Sequence, residues 1–127
     1  MRIGADYYPE HWEKERWKTD AEMMVKANIK VIRIGEFAWS LYEPEEGKYE
    51  FDWMDEALDF FGKYGIKVVM CTPSATPPKW MIDKYPDILQ NDIHGNPKLF
   101  GTRKHYCFNS ETYREKTKKL SFKWLRR

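Results

Sequence analysis

The sequence predicts an α/β protein with a parallel sheet, built as the N-terminal part, about three βα units, of an incomplete TIM (β/α)8 barrel. Three observations lead there. Short β-branched runs alternate with amphipathic helical stretches, as βαβ units do. The turns from helix back to strand are tight, at Asn28–Ile29 and Gly65–Ile66, whereas the segments after the strands are long and aromatic. That asymmetry suits a barrel whose chemistry gathers at the carboxyl ends of its strands.

The first strand is expected over residues 2–8, stopped by Pro9, which has no N–H to give a ladder. A helix follows over 13–27, where Trp17, Ala21, Met24 and Val25 recur at steps of three and four, and Asn28 stops it. The second strand, 30–34, carries Val31, Ile32 and Ile34, the composition of a buried parallel strand. A loop over 35–51 contains the turn formers Pro44 and Gly47. Asp52 is the expected N-cap of a helix over 53–64, with Gly65 just past its end. The third strand spans 67–72 and stops at Pro73. In the excursion over 73–110, Pro77 and Pro78 open a short helix with Trp80, Met81 and Ile82, and 91–97 reads as turns. Asn109 or Ser110 caps a last helix from Glu111 onward.

A dinucleotide-binding sheet is the competing architecture, but it places a glycine-rich turn after its first strand. Here that turn is Tyr8-Pro9-Glu10-His11-Trp12, with no glycine. A whole barrel needs about 250 residues, so three strands leave sheet edges and a barrel interior uncovered.

Composition narrows the function classes. A net charge of +2 implies no strong field for nucleic acid or a membrane surface, and no apolar run approaches the roughly 20 residues of a membrane span. The basic residues Lys116, Lys118, Lys119, Lys123, Arg126 and Arg127 read as a solvated helix face. Residues 1–8 pass straight into a strand pattern with no signal-peptide core, and two cysteines, Cys71 and Cys107, suit reduced thiols in the cytoplasm. Aromatic residues make up 17% of the chain. They suit a core of large rings and a sugar site equally, because pyranose faces stack on flat rings.

Glycoside hydrolysis usually takes two carboxylates across the scissile bond. Glu36, directly after Gly35 and the second strand, is placed where a functional acid belongs; it is equally placed to pair with Arg33 or another basic group. Glu10 and Asp6 are weaker candidates, and Glu43, Glu45 and Glu46 read as solvated loop acids. Arg103 and His105 lie late in the long excursion, where an arginine suits sugar hydroxyls, the fixing of an acid, or a structural salt bridge. Cys71 reads as a buried filler, and Cys107 has no nearby second thiol to suggest a metal site.

Five segments together resemble glycoside hydrolase family 42. They are Gly4-Ala5-Asp6-Tyr7-Tyr8-Pro9-Glu10-His11-Trp12, Val31-Ile32-Arg33-Ile34-Gly35-Glu36-Phe37-Ala38-Trp39-Ser40, Glu43-Pro44-Glu45-Glu46-Gly47, Thr72-Pro73-Ser74-Ala75-Thr76-Pro77-Pro78-Lys79-Trp80, and Arg103-Lys104-His105-Tyr106-Cys107. The resemblance covers about residues 1–120; residues 121–127 read as a divergent tail of a single domain over 1–127. It implies a retaining β-galactosidase on a (β/α)8 barrel. It implies that Arg103 contacts galactose, with Glu36, Trp39 and Trp12 shaping the pocket floor. Cys107 matches the first of four cysteines that hold a structural zinc in many members; the other three do not occur here, so no cofactor is expected in this chain. Both catalytic glutamates of the family fall after the matched segments. A galactoside hydrolase portion that is inactive alone is therefore expected. The alternatives are a sugar-binding or complementing module that joins a second chain or a homo-oligomer, and a product without independent function.

Overall fold

The computed structural model describes residues 3–126. Arg2, at the expected start of the first strand, and Arg127, in the basic run, lie outside the described residues. The chain divides into two compact units, one of residues 1–35 and 51–71, the other of 36–50 and 72–127.

The first unit holds the sheet. Strands β1 (Ile3–Asp6), β2 (Ile29–Ile34) and β3 (Lys67–Met70) run parallel in the order β1-β2-β3. Helix α1 (Lys14–Lys26) joins the first two strands. β2 and β3 are likewise joined through helix α3 (Asp52–Lys63), as parallel crossovers require. β1 is shorter than the sequence suggests. Its pairing continues for one bond, Tyr7 N–H to the Arg33 carbonyl at 2.9 Å, before a 3-10 turn at Pro9–His11 takes the chain away. Gly4 is required where it stands: a Cβ there would meet the Val31 carbonyl oxygen at 3.0 Å.

Helix periodicity sets this unit's core. Trp17, Ala21 and Met24 are the buried apolar face of α1, and Met54, Ala57 and Phe61 that of α3. Both series step by three or four residues, one stripe of a 3.6-residue helix. They are joined by Ile32, Ile34 and Ile66. Phe61 meets Tyr7 edge-on at 5.2 Å between ring centres. The Tyr7 hydroxyl donates to Asp20 at 2.9 Å, and Arg16 donates to the other Asp20 oxygen at 2.9 Å, so this buried carboxylate is satisfied on both sides. Burial, reinforced by the bond to Asp20, raises the Tyr7 pKa far above that of a free phenol.

Both helix exits follow the sequence signals. Asn28 takes φ 58° and Gly65 φ 70°, left-handed conformations that asparagine and glycine reach at least cost. The N-cap of α3 does not. The helix already includes Asp52, the cap position is Phe51, and no side chain caps it. Asp52 and Asp55 instead lie in the first turn, where carboxylates complement the helix dipole. Cys71 is half-buried just past β3 rather than enclosed within it.

The second unit is built from the segments that follow β2 and β3. It contains α2 (Trp39–Tyr42), α4 (Lys79–Lys84), a 3-10 turn at Pro86–Ile88 and α5 (Glu111–Leu125). Ser110 caps α5, its hydroxyl accepting the Tyr113 N–H at 3.2 Å. Trp39, Tyr42, Met81, Ile88, Tyr113 and Leu120 are among its buried apolar residues, which also include Ala38, Ile82 and Tyr106. Tyr106 and Tyr113 stack with ring centres 4.1 Å apart, and the Tyr113 hydroxyl donates to the Ser74 carbonyl at 2.7 Å. No helix among the described residues is long and apolar enough to cross a membrane.

Candidate functional site

The site begins at Gly35, whose φ of 81° turns the chain sharply out of β2. Glu36 follows and is buried, with only 8% of its surface exposed. Its Oε1 accepts a hydrogen bond from the Arg103 guanidinium at 2.6 Å. The two side chains differ in access: that of Glu36 is 11% exposed and that of Arg103 is 61% exposed. The carboxylate is thus fixed inside while the cation faces outward. A guanidinium has five N–H donors in a rigid plane, so one bond to Glu36 leaves donors directed to solvent. Beside this pair the Arg103 guanidinium carbon lies 5.6 Å from the centre of the Phe37 ring. Thr76 ties the same stretch down by donating to the Phe37 carbonyl at 3.3 Å.

The segment that carries Arg103 is held by its own backbone. Gln90 N–H donates to the His105 carbonyl at 2.8 Å, and Cys107 N–H to the Ile88 carbonyl at 2.7 Å. Lys104 takes φ 58°, an uncommon conformation for a side chain of its length, and its N–H points to the Ala75 carbonyl at 3.4 Å. His105 is 1% exposed, with Nδ1 at 2.6 Å from the Thr102 carbonyl.

The loop acids fall into two groups that the sequence did not separate. Glu43 is 2% exposed, not solvated. Its carboxylate accepts from the Trp39 indole N–H at 3.0 Å and from the Gly47 N–H at 2.9 Å, and its backbone carbonyl accepts from Trp80 at 2.8 Å. Glu46 receives Lys84, Lys116 and the Tyr85 hydroxyl. Those donors hold its carboxyl down at about 2, Lys116 contributing most. Lys116 consequently leaves the expected solvated basic face. The Glu46 network joins positions up to 70 apart, whereas the Glu43 carboxylate is held by partners only four positions away that the folded loop brings into line.

The remaining candidates are placed as follows. Trp39 is fully buried, with its N–H bound to Glu43 and its ring 6.2 Å from that of Tyr113. Trp12 belongs to the sheet unit; the residue is 49% exposed, and its ring carries the Arg16 guanidinium 4.8 Å from its centre. It lines a groove of about 400 Å³ with Asp6, Tyr8, Arg16 and Asp20 among its neighbours. Asp6 pairs with Arg33 at 3.5 Å. Burial pushes the Glu10 carboxyl up. Cys107 carries a free thiol. Among the described residues no group of three or more His, Cys, Asp or Glu side chains gathers at metal-binding distance. One thiol does not make the four-ligand shell of a structural zinc, so the residues present do not form that site by themselves.

The sequence profile of the family Glyco_hydro_42, described as Beta-galactosidase, matches residues 6–127. Beta-galactosidase BgaH of Haloferax lucentense is 50% identical over 120 residues, covering 94% of this chain. A beta-galactosidase of Thermus thermophilus is 53% identical over 118 residues. The chain spans 18% of the length of each of these relatives. Among solved structures, the beta-galactosidase of Halorubrum lacusprofundi superposes with a TM-score of 0.93 at 45% identity, covering 98% of this chain and 19% of its own. That of Rahnella sp. R3 gives 0.95 at 41% identity, with 99% and 19% covered. The three parallel strands and their helices are therefore part of a (β/α)8 barrel, and the chain belongs to glycoside hydrolase family 42.

Proposed function

We propose that these residues form the opening βα units of a retaining β-galactosidase and supply part of the surface that grips the terminal galactosyl unit. The observation that carries this reading is the Glu36–Arg103 pair, a buried carboxylate fixing an outward-facing guanidinium. A sugar presents a crowded set of hydroxyl acceptors, and a planar multi-donor held in one orientation binds them at a low cost in side-chain entropy. In the sheet unit, taken by itself, Trp12 is a half-exposed ring of the kind that stacks on a pyranose. Trp39, enclosed and bonded to Glu43, acts from beneath by fixing the loop that bears Glu36.

Hydrolysis itself requires an acid and a nucleophile about 5–5.5 Å apart in a retaining enzyme. Glu36, Glu43 and Glu46 are each committed to other partners. The acid and the nucleophile are accordingly assigned to carboxylates outside the matched segments, as the family resemblance implies. Cys107 is offered as one ligand of a structural zinc whose other ligands likewise lie outside them. Two free thiols suit a reducing compartment, the cytoplasm. The 127-residue chain, purified free of host enzyme, is expected to leave a chromogenic β-galactoside intact; measurable turnover would overturn the assignment of the acids.

A second reading is favoured by the sheet. Among the described residues β1 and β3 each pair with β2 alone, which leaves both outer edges open for further strands. A complementing segment, a second chain or another copy would cover them. Sizing by light scattering is expected to show association; a stable monomer across micromolar concentrations counts against it.

A further inference from the structure

Among the described residues of the second unit the buried polar or charged side chains are Glu36, Glu43 and His105, and the proposed sugar contact leaves His105 without a role. We propose that it is a positioning residue for Arg103, a role that rests on the reading of Arg103 as the galactose-gripping cation.

The geometry is local and specific. A carbonyl oxygen cannot donate, so the 2.6 Å contact between Nδ1 and the Thr102 carbonyl assigns the ring proton to Nδ1. This bond closes the four-residue turn Thr102–His105, whose two central residues are Arg103 and Lys104. The turn needs fastening, because Lys104 holds a left-handed conformation that a long side chain adopts at a cost. Thr102 adds a bond from its hydroxyl to the Leu99 carbonyl at 2.9 Å, closing the turn from its other side. The ring is 1% exposed and meets Phe100 edge-on at 5.7 Å, so its orientation is set by packing. Its Nε2 is enclosed and has no hydrogen-bond partner. The hydrogen-bonding work of this buried ring therefore falls to Nδ1. Glu36 then sets where the guanidinium points, and His105 sets where the Arg103 backbone starts.

The test uses the substitutions His105→Asn and His105→Gln. The asparagine amide nitrogen falls near the place of Nδ1 and keeps the donor; that of glutamine falls near Nε2 and removes it. In the 127-residue chain, H105N is expected to keep D-galactose affinity within about twofold, and H105Q to lose about tenfold, the equivalent of one hydrogen bond to a strongly held group. The Arg103 Nε–H resonance is expected to stay ordered in H105N and become mobile in H105Q. Equal affinity and equal Arg103 order in both variants would overturn the proposal. Order lost only in H105Q, in a chain that binds no galactose even as wild type, would uphold the positioning role and sink the sugar reading instead. Where a variant does not fold, the wild-type imidazole decides: long-range nitrogen–proton correlations must show the proton on Nδ1, and a proton on Nε2 would refute the assignment.

Discussion

The sheet unit and the loop-built unit are held together by different physics. In the first, the interior is a continuous apolar set, with Ala21, Ile32, Ile34, Ala57 and Phe61 fully enclosed and Asp20 the buried charge. In the second, large rings share the interior with Glu36, Glu43 and His105. Hydrophobic burial is tolerant of detail, whereas a buried polar group must find its partner or destabilise the fold. The contrast teaches where specificity resides: the scaffold is made of interchangeable bulk, and the segments after the strands are made of directed bonds that place a guanidinium.

That contrast can be broken by comparing substitutions. Phe61→Ala removes a ring in contact with Tyr7, Trp17 and Phe60 and is expected to cost about 3–5 kcal/mol in urea denaturation. Glu43→Ala strands the Trp39 and Gly47 donors, and about 2–3 kcal/mol is expected, with faster amide exchange at Gly47. If Glu43→Ala proves the more damaging change, the division between apolar scaffold and polar loops is wrong. Glu36→Gln is expected to lower stability by less than about 1 kcal/mol, because Arg103 is largely exposed and screened. Its galactose affinity should nevertheless fall about tenfold, measured by calorimetry.

The smallest effect concerns acid. The folded-state pKa of Glu46, about 2, lies below the ordinary 4.5. Its contribution is therefore fully present above about 4.5 and is lost as pH falls from there towards 2. Glu46→Gln should flatten the pH dependence of the unfolding midpoint in that window alone. Lys84 and Lys116 are raised by the same contacts, so their share is present below about 10.5 and fades as pH rises further.

Much of the scaffold was legible because its signals are local. Trp17, Ala21 and Met24 announce a helix face, and Asn28 and Gly65 announce the exits of α1 and α3, through rules that act over a few residues. The short helix Trp39–Tyr42 was not legible: four residues carry too little periodicity to stand out. Nor was the burial of Glu43, which depends on a tryptophan one turn away and a glycine amide that only the folded loop aligns. Arg103 and Glu36 were both singled out, but their pairing joins positions 67 apart and could not be read from spacing.

The proposed galactose contact turns on Arg103 meeting the sugar in the orientation that Glu36 imposes. The most direct measurement is a nuclear magnetic resonance titration of the Arg103 Nε–H signal with D-galactose, run on the wild-type chain and on Glu36→Gln. A saturable shift in the wild type, with apparent affinity about tenfold weaker in the variant, is the predicted result. A folded wild-type chain whose Arg103 signal ignores galactose, or a variant that responds as the wild type does, would contradict it.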